Sequence, residues 1–334
     1  MKKIIIPIAA VVCAAIAAVI VIVMVNSAQS RRVVQEDTET VAESVESTPE
    51  TTTAQATTEE TTTEETTAPE DNIVNIAYLG IDKQENRSDV MMVLSINITK
   101  NKIKVISLLR DTKAYYRDMP VDTKLGYAYK WGGNELALEV INDNFKTDLE
   151  YYIDMWFKDV ADIVDALGGV DIELTEAEAE EVNNLTSSKA KVTAGWGTLT
   201  GSQAVAYARI RRIDGEFYRS HRQHNVIRQL FEKLKAMPKS EYPAFITRLM
   251  GDMETNVTLE MLYSFTELDM ETLTLDCYTI PDPDYETDVV GDWDPVDLSL
   301  LDEDDPWLDN PTWLWMYDLD AAAERLHSII YEYD

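Results

Sequence analysis

The sequence predicts an α/β fold with a mixed central sheet flanked by helices, preceded by an N-terminal transmembrane helix and a disordered linker. Residues 4–25 form an uncharged apolar run, and residues 36–71 are acidic and threonine-rich. From about residue 73 the apolar period changes repeatedly between strand-like and helix-like. The predicted division is residues 1–30 for a cytoplasmic stub and membrane anchor, 31–72 for an extracellular linker, 73–236 for the main domain, and 237–334 for an acidic part packed on or continuing it.

The apolar run predicts a retained membrane anchor. Its 22 residues exceed the 7–15 expected for the apolar region of a cleaved signal peptide, although cleavage after Ala28 is an alternative. Lys2 and Lys3 precede the run, and the threonine-rich spacer that follows suits a stalk outside the cell. The expected location is therefore the cell membrane, with a single span and the folded domain outside the cytoplasm.

The charge distribution excludes some functions. The net charge is -32, with 12 acidic residues in segment 36–71 and 13 in segment 276–309. Nucleic acid is not expected as a partner, because binding it requires an extended basic face. The only cysteines are Cys13 and Cys277, so no disulfide within the folded part is expected. With three histidines in the sequence, neither a histidine metal site nor a Ser-His-Asp triad is predicted.

The first predicted elements are three strands. IVNIAYLG at 73–80 is an apolar run that ends at a glycine, as expected of a buried strand. VMMVLSI at 90–96 and IKVISLL at 103–109 flank the turn sequence NITKNK and predict an antiparallel hairpin. If the turn is centred between Thr99 and Lys100, residues whose numbers sum to 199 lie opposite one another, which places Asp89 opposite Arg110.

Helices and further strands follow. Val160, Ile163, Val164 and Leu167 have helical spacing and Gly168 supplies the stop, which predicts a helix over 157–167. The remaining predicted elements are a strand at 170–174, a short helix opened by a capping box of Thr200 and Gln203, a helix from about 219 to 236, helices near 241–251 and 258–268, a strand at 272–280 and a last helix at 319–332.

Five arginines lie within the stretch YARIRRIDGEFYRSHRQ, residues 207–223. Arg209 and Arg211 share a face if the chain is extended there, with Ile210 turned inward and Arg212 solvated. Arg219 begins the apolar stripe of the following helix, one turn before Gln223.

An inward guanidinium requires an anionic partner. The partner of Arg219 is either Asp214 or Glu216 as a structural ion pair, or an anionic ligand. Several converging arginines favour a ligand with more than one phosphate charge, because the planar guanidinium fork matches phosphate oxygens. Arg87 and Asp89 are expected on one face at the mouth of the hairpin, beside Arg110. Asp82 and Asp89 could then hold Mg2+ together with the phosphates.

The chain resembles the LytR-CpsA-Psr family of cell-wall enzymes from bacteria with Gram-positive envelopes. The resemblance covers about residues 73–236. It rests on LGID at 79–82, RSDVMM at 87–92, LLRDT at 108–112, KLGYAYKWGG at 124–133, DALGGVDIEL at 165–174, YARIR at 207–211 and RSHRQ at 219–223. Departures from the usual pattern are Gly126 and Tyr127, where asparagine and histidine are common, Tyr218 for a frequent glycine, and Glu216 for a frequent aspartate.

The resemblance implies an enzyme with a membrane anchor, an extracytoplasmic α/β domain and an apolar pocket for a polyprenyl chain. The implied reaction is the transfer of a glycopolymer from a polyprenyl pyrophosphate carrier to a peptidoglycan hydroxyl, which forms a phosphodiester and releases polyprenyl phosphate. The implied site comprises a catalytic set, Asp82, Asp89, Arg87, Arg209 and Arg211, a pyrophosphate-binding set, Arg110, Lys124, Arg219 and Gln223, and Mg2+ on Asp82 and Asp89.

Two other functions are compatible with the same residues. One is hydrolysis of the carrier pyrophosphate, with water in place of the sugar hydroxyl. The other is a non-catalytic surface regulator or adhesin that binds anionic glycans. The tryptophans of the acidic C-terminal segment, at positions 293, 307, 313 and 315, are interpreted as core or loop anchors rather than as sugar-stacking groups.

The predicted topology is testable by protease treatment of intact cells. If the chain has one span and an external domain, the protease should release residues 73–334 as a folded fragment, because the linker is exposed. Immunoblotting of the supernatant checks this outcome. Protection of the domain until the membrane is broken would contradict the predicted orientation.

Overall fold

The computed structural model describes residues 71–82, 87–117, 122–238, 254–257, 268–282, 290–293 and 313–332, together with residues 245, 261 and 265. The predicted span at 4–25 and nearly all of the predicted linker lie outside the described residues, as do most residues of the helices predicted near 241–251 and 258–268. No helix within the described ranges has the length and apolar character needed to cross a bilayer.

A six-stranded mixed sheet forms the centre of the described part. It contains β1 (Ile73–Asp82), β2 (Arg87–Asn97), β3 (Lys102–Leu108), β6 (Tyr151–Trp156), β9 (Glu254–Thr255) and β10 (Thr274–Ile280). The strand order is β10-β3-β2-β1-β6-β9, with parallel pairs at β10/β3 and β1/β6. Two-stranded ribbons are formed by β4 (Lys113–Ala114) with β5 (Thr123–Lys124), β7 (Val170–Leu174) with β8 (Gly195–Leu199), and β11 (Val290–Trp293) with β12 (Trp313–Met316).

Helices cover both faces of this sheet, which confirms the predicted mixed α/β class. They are α1 (Ala128–Phe145), α2 (Phe157–Ala166), α3 (Glu176–Leu185), α4 (Gly201–Tyr207), α5 (Glu216–Ala236) and α6 (Leu319–Tyr331). Successive side chains of β1 point to opposite faces of the sheet and belong to two different cores. Ile76 and Tyr78 pack with α2 to α5, whereas Ala77 and Leu79 pack with α1 and α6. The near-continuous apolar sequence of β1 is explained by burial on both faces.

Several local predictions are confirmed. In the β2–β3 hairpin, Met91 lies opposite Leu108 and Asn97 opposite Lys102, so the paired numbers sum to 199 as predicted. The helix at 157, the strand at 170–174 and the capping box at Thr200 are also present. Helix α5 begins three residues earlier than the predicted start near 219, because Gly215 at φ 94° breaks the chain directly before Glu216.

A β-bulge at the end of β1 and β2 changes the predicted geometry. Gly80 pairs with Val90 but Ile81 pairs with Ser88, so Asp89 is an extra residue on β2. The expectation that Arg87 and Asp89 share a face assumed unbroken alternation, and that premise is wrong. The side chains of Asp82 and Arg87 lie outside the described residues, whereas their backbones are paired with each other.

The C-terminal part contributes to the same fold. Strand β10 extends the central sheet beside β3, and the backbone N–H of Trp315 donates a hydrogen bond to the carbonyl oxygen of Asp111, at 2.9 Å. Of the four tryptophans in the acidic segment, Trp315 alone has a described side chain, and it is half-buried. The chain near its end therefore lies directly against the loop that follows β3.

A lysine cluster fixes the end of α6. The Nζ atoms of Lys100, Lys102 and Lys104 lie 2.9, 2.9 and 2.8 Å from the carboxylate of Glu332. The Lys104 side chain is only 3% exposed and also donates to the carbonyl oxygens of Ile329 and Ile330. Hydrogen bonds from Lys104, Lys102 and Lys100 hold the pKa of Glu332 below its usual value. This cluster joins the hairpin turn to the last helix.

We expect Glu332→Gln to destabilise the protein at neutral pH by about 1–2 kcal/mol, because it leaves the buried ammonium of Lys104 without its carboxylate. A carboxylate whose pKa is depressed by folding stabilises the protein above its unfolded pKa, and this contribution is lost as the pH falls. The difference in melting temperature between the two proteins should therefore shrink below about pH 4. The control is Glu324→Gln, at an exposed position of the same helix. A pH-independent difference would contradict the role of the charge.

Candidate anion-binding site

A cavity of about 150 Å³ opens at the corner formed by the bulge, the loop after β3 and the start of α1. We call it the outer cavity. Its lining is strongly cationic: Arg110, Lys124 and Arg211 contribute three positive charges and Asp111 one negative charge. The remaining lining residues are Ser88, Gly126 and Tyr127. The sequence predicted the three cations as ligand-binding groups, and the fold brings them together.

Asp111 is the acidic centre of the outer cavity. Its carboxylate lies 2.8 Å from Nζ of Lys124, 2.9 Å from Nη2 of Arg211 and 3.7 Å from Nε of Arg110. Burial acts to raise the pKa of Asp111, but these three cations outweigh burial and hold the pKa below its usual value. The carboxylate is therefore ionised at neutral pH and orients the cations around one point.

A second cavity, of about 10 Å³, lies deeper between β2, β3 and α5, and we call it the inner cavity. The residues around it are all buried except Arg110, which lines both cavities. Its polar lining is Asp89, Ser107, Arg110, Glu216, Arg219, Ser220 and Gln223, and its apolar lining is Val90, Met91, Leu108 and Leu109. The space is about that of one water molecule.

Arg110 stands between the two cavities. Its side chain is 12% exposed and forms an ion pair with Asp89, which confirms the predicted juxtaposition across the hairpin. Burial acts to lower the pKa of Arg110, but Asp89, Asp111 and Glu216 together raise it above its usual value. A guanidinium this deep in the protein is thus held in its charged form by carboxylates on both sides.

Arg219 and Gln223 lie one helical turn apart on the buried face of α5, as predicted. Nη2 of Arg219 donates to the carbonyl oxygen of Asp89, at 3.2 Å, and forms an ion pair with Glu216. Nε of Arg219 and Nε2 of Gln223 have no hydrogen-bond partner among the described residues. Buried donors without partners are uncommon in proteins, so the inner cavity has spare donor capacity for an anion.

A tight turn positions Lys124 and Tyr127. The backbone N–H of Gly126 donates to the carbonyl oxygen of Arg110, at 2.8 Å. A Cβ atom at position 126 would lie 3.0 Å from Cβ of Arg110 and 3.1 Å from the carbonyl oxygen of Ser88. Glycine therefore allows this turn to approach the arginine closely. The ring of Tyr127 lies tilted against that of Trp131, with centroids 4.8 Å apart, and forms one wall of the outer cavity.

The five arginines of residues 207–223 have different surroundings. The chain from Tyr207 to Ile210 is a turn rather than extended, so the condition under which Arg209 and Arg211 would share a face is not met. Ile210 is buried and Arg212 is exposed, as predicted. Arg209 is half-buried and lines neither cavity, so its catalytic role stays a prediction.

Arg222 is held by two acidic side chains outside the cavities. It donates to Asp214 through Nη1 and Nη2, at 2.8 and 2.5 Å, and to Glu178 through Nε, at 2.7 Å. The sequence assigned Asp214 as a possible partner of Arg219, whereas the structure gives it to Arg222. Arg219 pairs with the other proposed partner, Glu216.

The geometry around Asp82 and Asp89 bears on a metal site. The bulge brings both backbones to the corner of the sheet beside the outer cavity, and carboxylates with phosphate oxygens are the ligands that Mg2+ prefers. The described carboxylate of Asp89 accepts a hydrogen bond from Arg110. Within the described ranges, no three His, Cys, Asp or Glu side chains form a group that could hold a metal ion. The side chain of Asp82 lies outside the described residues, so the Mg2+ site at this corner stays a prediction.

The sequence interpretation missed the role of Asp111. This residue lies inside the LLRDT motif, but Arg211 lies 100 residues away along the chain, so spacing gave no indication of the contact. One signal was available: several converging cations require counter-charges, and an acidic residue directly after Arg110 was the nearest candidate.

Comparison with protein families finds a match to the model of the LytR_cpsA_psr family over residues 39–289. A polyisoprenyl-teichoic acid–peptidoglycan teichoic acid transferase, TagU, from Bacillus mycoides is 30% identical over 198 residues, which cover 57% of this chain and 62% of that protein. TagU from Bacillus anthracis is 28% identical over 210 residues, 61% of this chain and 65% of that protein. The chain thus spans less than two thirds of the length of these relatives.

Solved structures share the fold. TagT bound to LIIa-WTA has a TM-score of 0.58 at 20% identity, over 77% of this chain and 91% of that chain. TagT, also called YwtF, with bound octaprenyl pyrophosphate has a TM-score of 0.54 at 18% identity, over 77% of this chain and 90% of that chain. At these identities the likeness establishes a common architecture.

Arg222 is expected to stabilise the fold without contributing to either cavity, and this assignment can be tested. We expect Arg222→Ala to lower the free energy of unfolding by about 3–5 kcal/mol, because it leaves Asp214 and Glu178 without their shared cation. Binding of inorganic pyrophosphate per folded molecule should be unchanged, since Arg222 lines neither cavity. Denaturant unfolding and calorimetric titration measure the two quantities. Loss of pyrophosphate binding with unchanged stability would contradict this assignment.

Proposed function

Because the chain belongs to the LytR_cpsA_psr family, we propose that it transfers a glycopolymer from a polyprenyl pyrophosphate carrier to a hydroxyl group of peptidoglycan. The product is a phosphodiester, and polyprenyl phosphate is released. The names of its relatives support the reaction class, since TagU is a transferase of polyisoprenyl-linked teichoic acid to peptidoglycan. The octaprenyl pyrophosphate bound to TagT supports the carrier.

The observation that carries the proposal is the position of Arg110 between two cavities that are both lined by cationic and hydrogen-bond-donating side chains. Lys124 and Arg211 lie on the outer side, and Arg219 and Gln223 lie on the inner side. A pyrophosphate has two adjacent phosphate groups, so one group can contact each set while the bridging oxygen lies at Arg110. Because the inner cavity has the space of about one water molecule, its lining side chains would have to move apart to admit the second group. A monophosphate would leave one set without its ligand.

The polarity of the two cavities suggests the orientation of the carrier. The inner cavity is lined partly by Val90, Met91, Leu108 and Leu109, which suits the phosphate attached to the polyprenyl chain. The outer cavity is larger and bordered by the partly exposed Arg211, which suits the phosphate attached to the sugar. An acceptor hydroxyl would then approach the outer phosphate from solvent, opposite the leaving group.

The chemistry is a phosphoryl transfer in which positioning and charge stabilisation supply most of the acceleration. The acceptor oxygen forms a bond to the outer phosphorus, and the bond from that phosphorus to the bridging oxygen breaks. The electron pair remains on polyprenyl phosphate, where Arg110 and Arg219 stabilise the added charge. The hydroxyl proton passes to Asp82 or Asp89. Mg2+ bound by these two aspartates and the phosphates would neutralise further negative charge.

The remaining predicted catalytic residues keep their proposed roles. Arg87 joins Arg211 in stabilising the transferring phosphate. Arg209, which lines neither cavity, contributes only if its side chain turns towards the outer cavity when the ligand binds. The proposed setting is the outer face of the cell membrane, where residues 4–25 serve as a single-span anchor and the carrier and peptidoglycan are both accessible.

The proposal is tested with full-length protein, a glycopolymer on polyprenyl pyrophosphate, and peptidoglycan. We expect Arg219→Ala to reduce transfer about 10- to 100-fold, which corresponds to one charge-assisted pair of about 1.5–3 kcal/mol. Arg219→Lys should restore activity only in part, because an ammonium lacks the paired fork. Chelation with EDTA should abolish transfer and added Mg2+ should restore it.

The matched control is Arg212→Ala, an exposed arginine outside both cavities, which should retain wild-type activity. Melting temperature is measured on each variant, so that activity is expressed per folded molecule. Unchanged catalysis by folded Arg219→Ala would contradict the proposed clamp. Release of free polymer without attachment to peptidoglycan would identify a hydrolase instead.

A further inference from the structure

Glu216 is a carboxylate inside a site that is otherwise built for anions. It is the first residue of α5, its side chain is 3% exposed, and it lines the inner cavity. Oε2 lies 2.9 Å from Nε of Arg211, and Oε1 forms an ion pair with Nη2 of Arg219. One carboxylate therefore bridges an arginine of the outer cavity and an arginine of the inner cavity.

The carboxylate oxygens of Glu216 lack well-formed hydrogen bonds within the part of the chain that the structure describes. Neither carboxylate oxygen accepts a hydrogen bond of good geometry from the described residues, although both are buried. The spare donors of Arg219 and Gln223 border the same space. A buried carboxylate normally accepts several hydrogen bonds, and one that does not is costly to keep.

A neighbouring pair shows the difference. Arg222, three residues after Arg219, donates hydrogen bonds to Asp214 through two guanidinium nitrogens and to Glu178 through the third. That arrangement has the geometry of a permanent structural pair. The contacts of Glu216 neutralise charge but lack this complementarity, as expected of an anion that occupies the site in place of another.

We propose that Glu216 is a displaceable counter-ion, which the substrate pyrophosphate must remove from Arg211 and Arg219, and which thereby favours pyrophosphate over a single phosphate. The proposal rests on the proposed function for the identity of the ligand. In the ligand-free protein the carboxylate stabilises two arginines that would otherwise lie unpaired. Phosphate oxygens and the carboxylate repel each other, so a phosphate that contacts Arg211 and Arg219 weakens the contacts of Glu216 with the same two guanidinium groups.

Displacement has a consequence for turnover. A pyrophosphate contacts both sets of cations at once and can replace Glu216 at each of them. Polyprenyl phosphate, the product, carries one phosphate and leaves one arginine for the carboxylate to recapture. Return of Glu216 to this arginine favours product release. Glu216 is therefore a specificity-determining residue rather than a group that touches the reacting atoms.

The direction in which Glu216→Gln changes the pyrophosphate affinity distinguishes this proposal from a structural role of Glu216. Calorimetric titration of full-length protein with inorganic pyrophosphate is compared for the wild type and Glu216→Gln. We expect the variant to bind pyrophosphate about tenfold more tightly and inorganic phosphate more tightly as well, with lower selectivity between the two. In the transfer assay both KM and kcat should fall, because binding tightens and release slows. If Glu216 only positioned the two arginines, Glu216→Gln should instead bind pyrophosphate more weakly than the wild type.

Asp214→Asn is the matched control, because it removes the same charge from the same loop but pairs with Arg222 outside the cavities. It should leave pyrophosphate affinity unchanged, and equal tightening by both variants would overturn the proposal by identifying a general charge effect. Unchanged or weaker pyrophosphate binding by folded Glu216→Gln would also overturn it. If Glu216→Gln fails to fold, Glu216→Asp, whose shorter side chain cannot bridge both arginines, should show the same direction of change, and its absence counts against the proposal.

These outcomes are distinct from failure of the proposed function. A wild-type protein that performs no transfer refutes the function, whatever Glu216→Gln does to pyrophosphate affinity. A wild-type protein that performs transfer, with pyrophosphate affinity insensitive to Glu216→Gln, refutes the counter-ion alone.

Discussion

Removing guanidinium groups from water without leaving them unpaired is the constraint on which this site depends. Arg219 is buried and Arg110 is nearly so, and each would be very costly without a nearby carboxylate or anion. Asp89, Asp111 and Glu216 meet this requirement in the ligand-free protein. The cations are thereby kept charged and close together. Lysines and arginines exposed to water would not be held in such fixed positions.

The fold meets the constraint with a few local devices. The hairpin register places Asp89 beside Arg110, and Gly126 lets the next turn approach the same arginine. Gly215 starts α5 at Glu216, so that this carboxylate and Arg219 lie within one helical turn of each other. Each device acts on the backbone, and each places a charged side chain in the cluster.

Local sequence patterns were sufficient for parts of this arrangement. The hairpin register followed from the turn position, which alone determined that Asp89 and Arg110 would meet, and the stripe of α5 gave the inward direction of Arg219 and Gln223. Glu178 was not predictable as a partner of Arg222, because it comes from a helix 44 residues away. The bulge was also hidden, since it depends on how β2 pairs with β1 rather than on the sequence of β2. Features set by distant contacts require the tertiary structure.

The contact between Trp315 and Asp111 has a consequence for how the protein is made. Strand β10, the backbone N–H of Trp315 and the carboxylate of Glu332 all contact the region around β3, some 170 to 230 residues earlier in the chain. Contacts of such long sequence separation form late, because the intervening loop must close first. A nascent chain that has not yet reached Trp315 cannot complete the loop that bears Asp111. The cationic cluster therefore reaches its final form only after the segment through Trp315 has been made, and a shorter nascent chain carries these arginines without their full support.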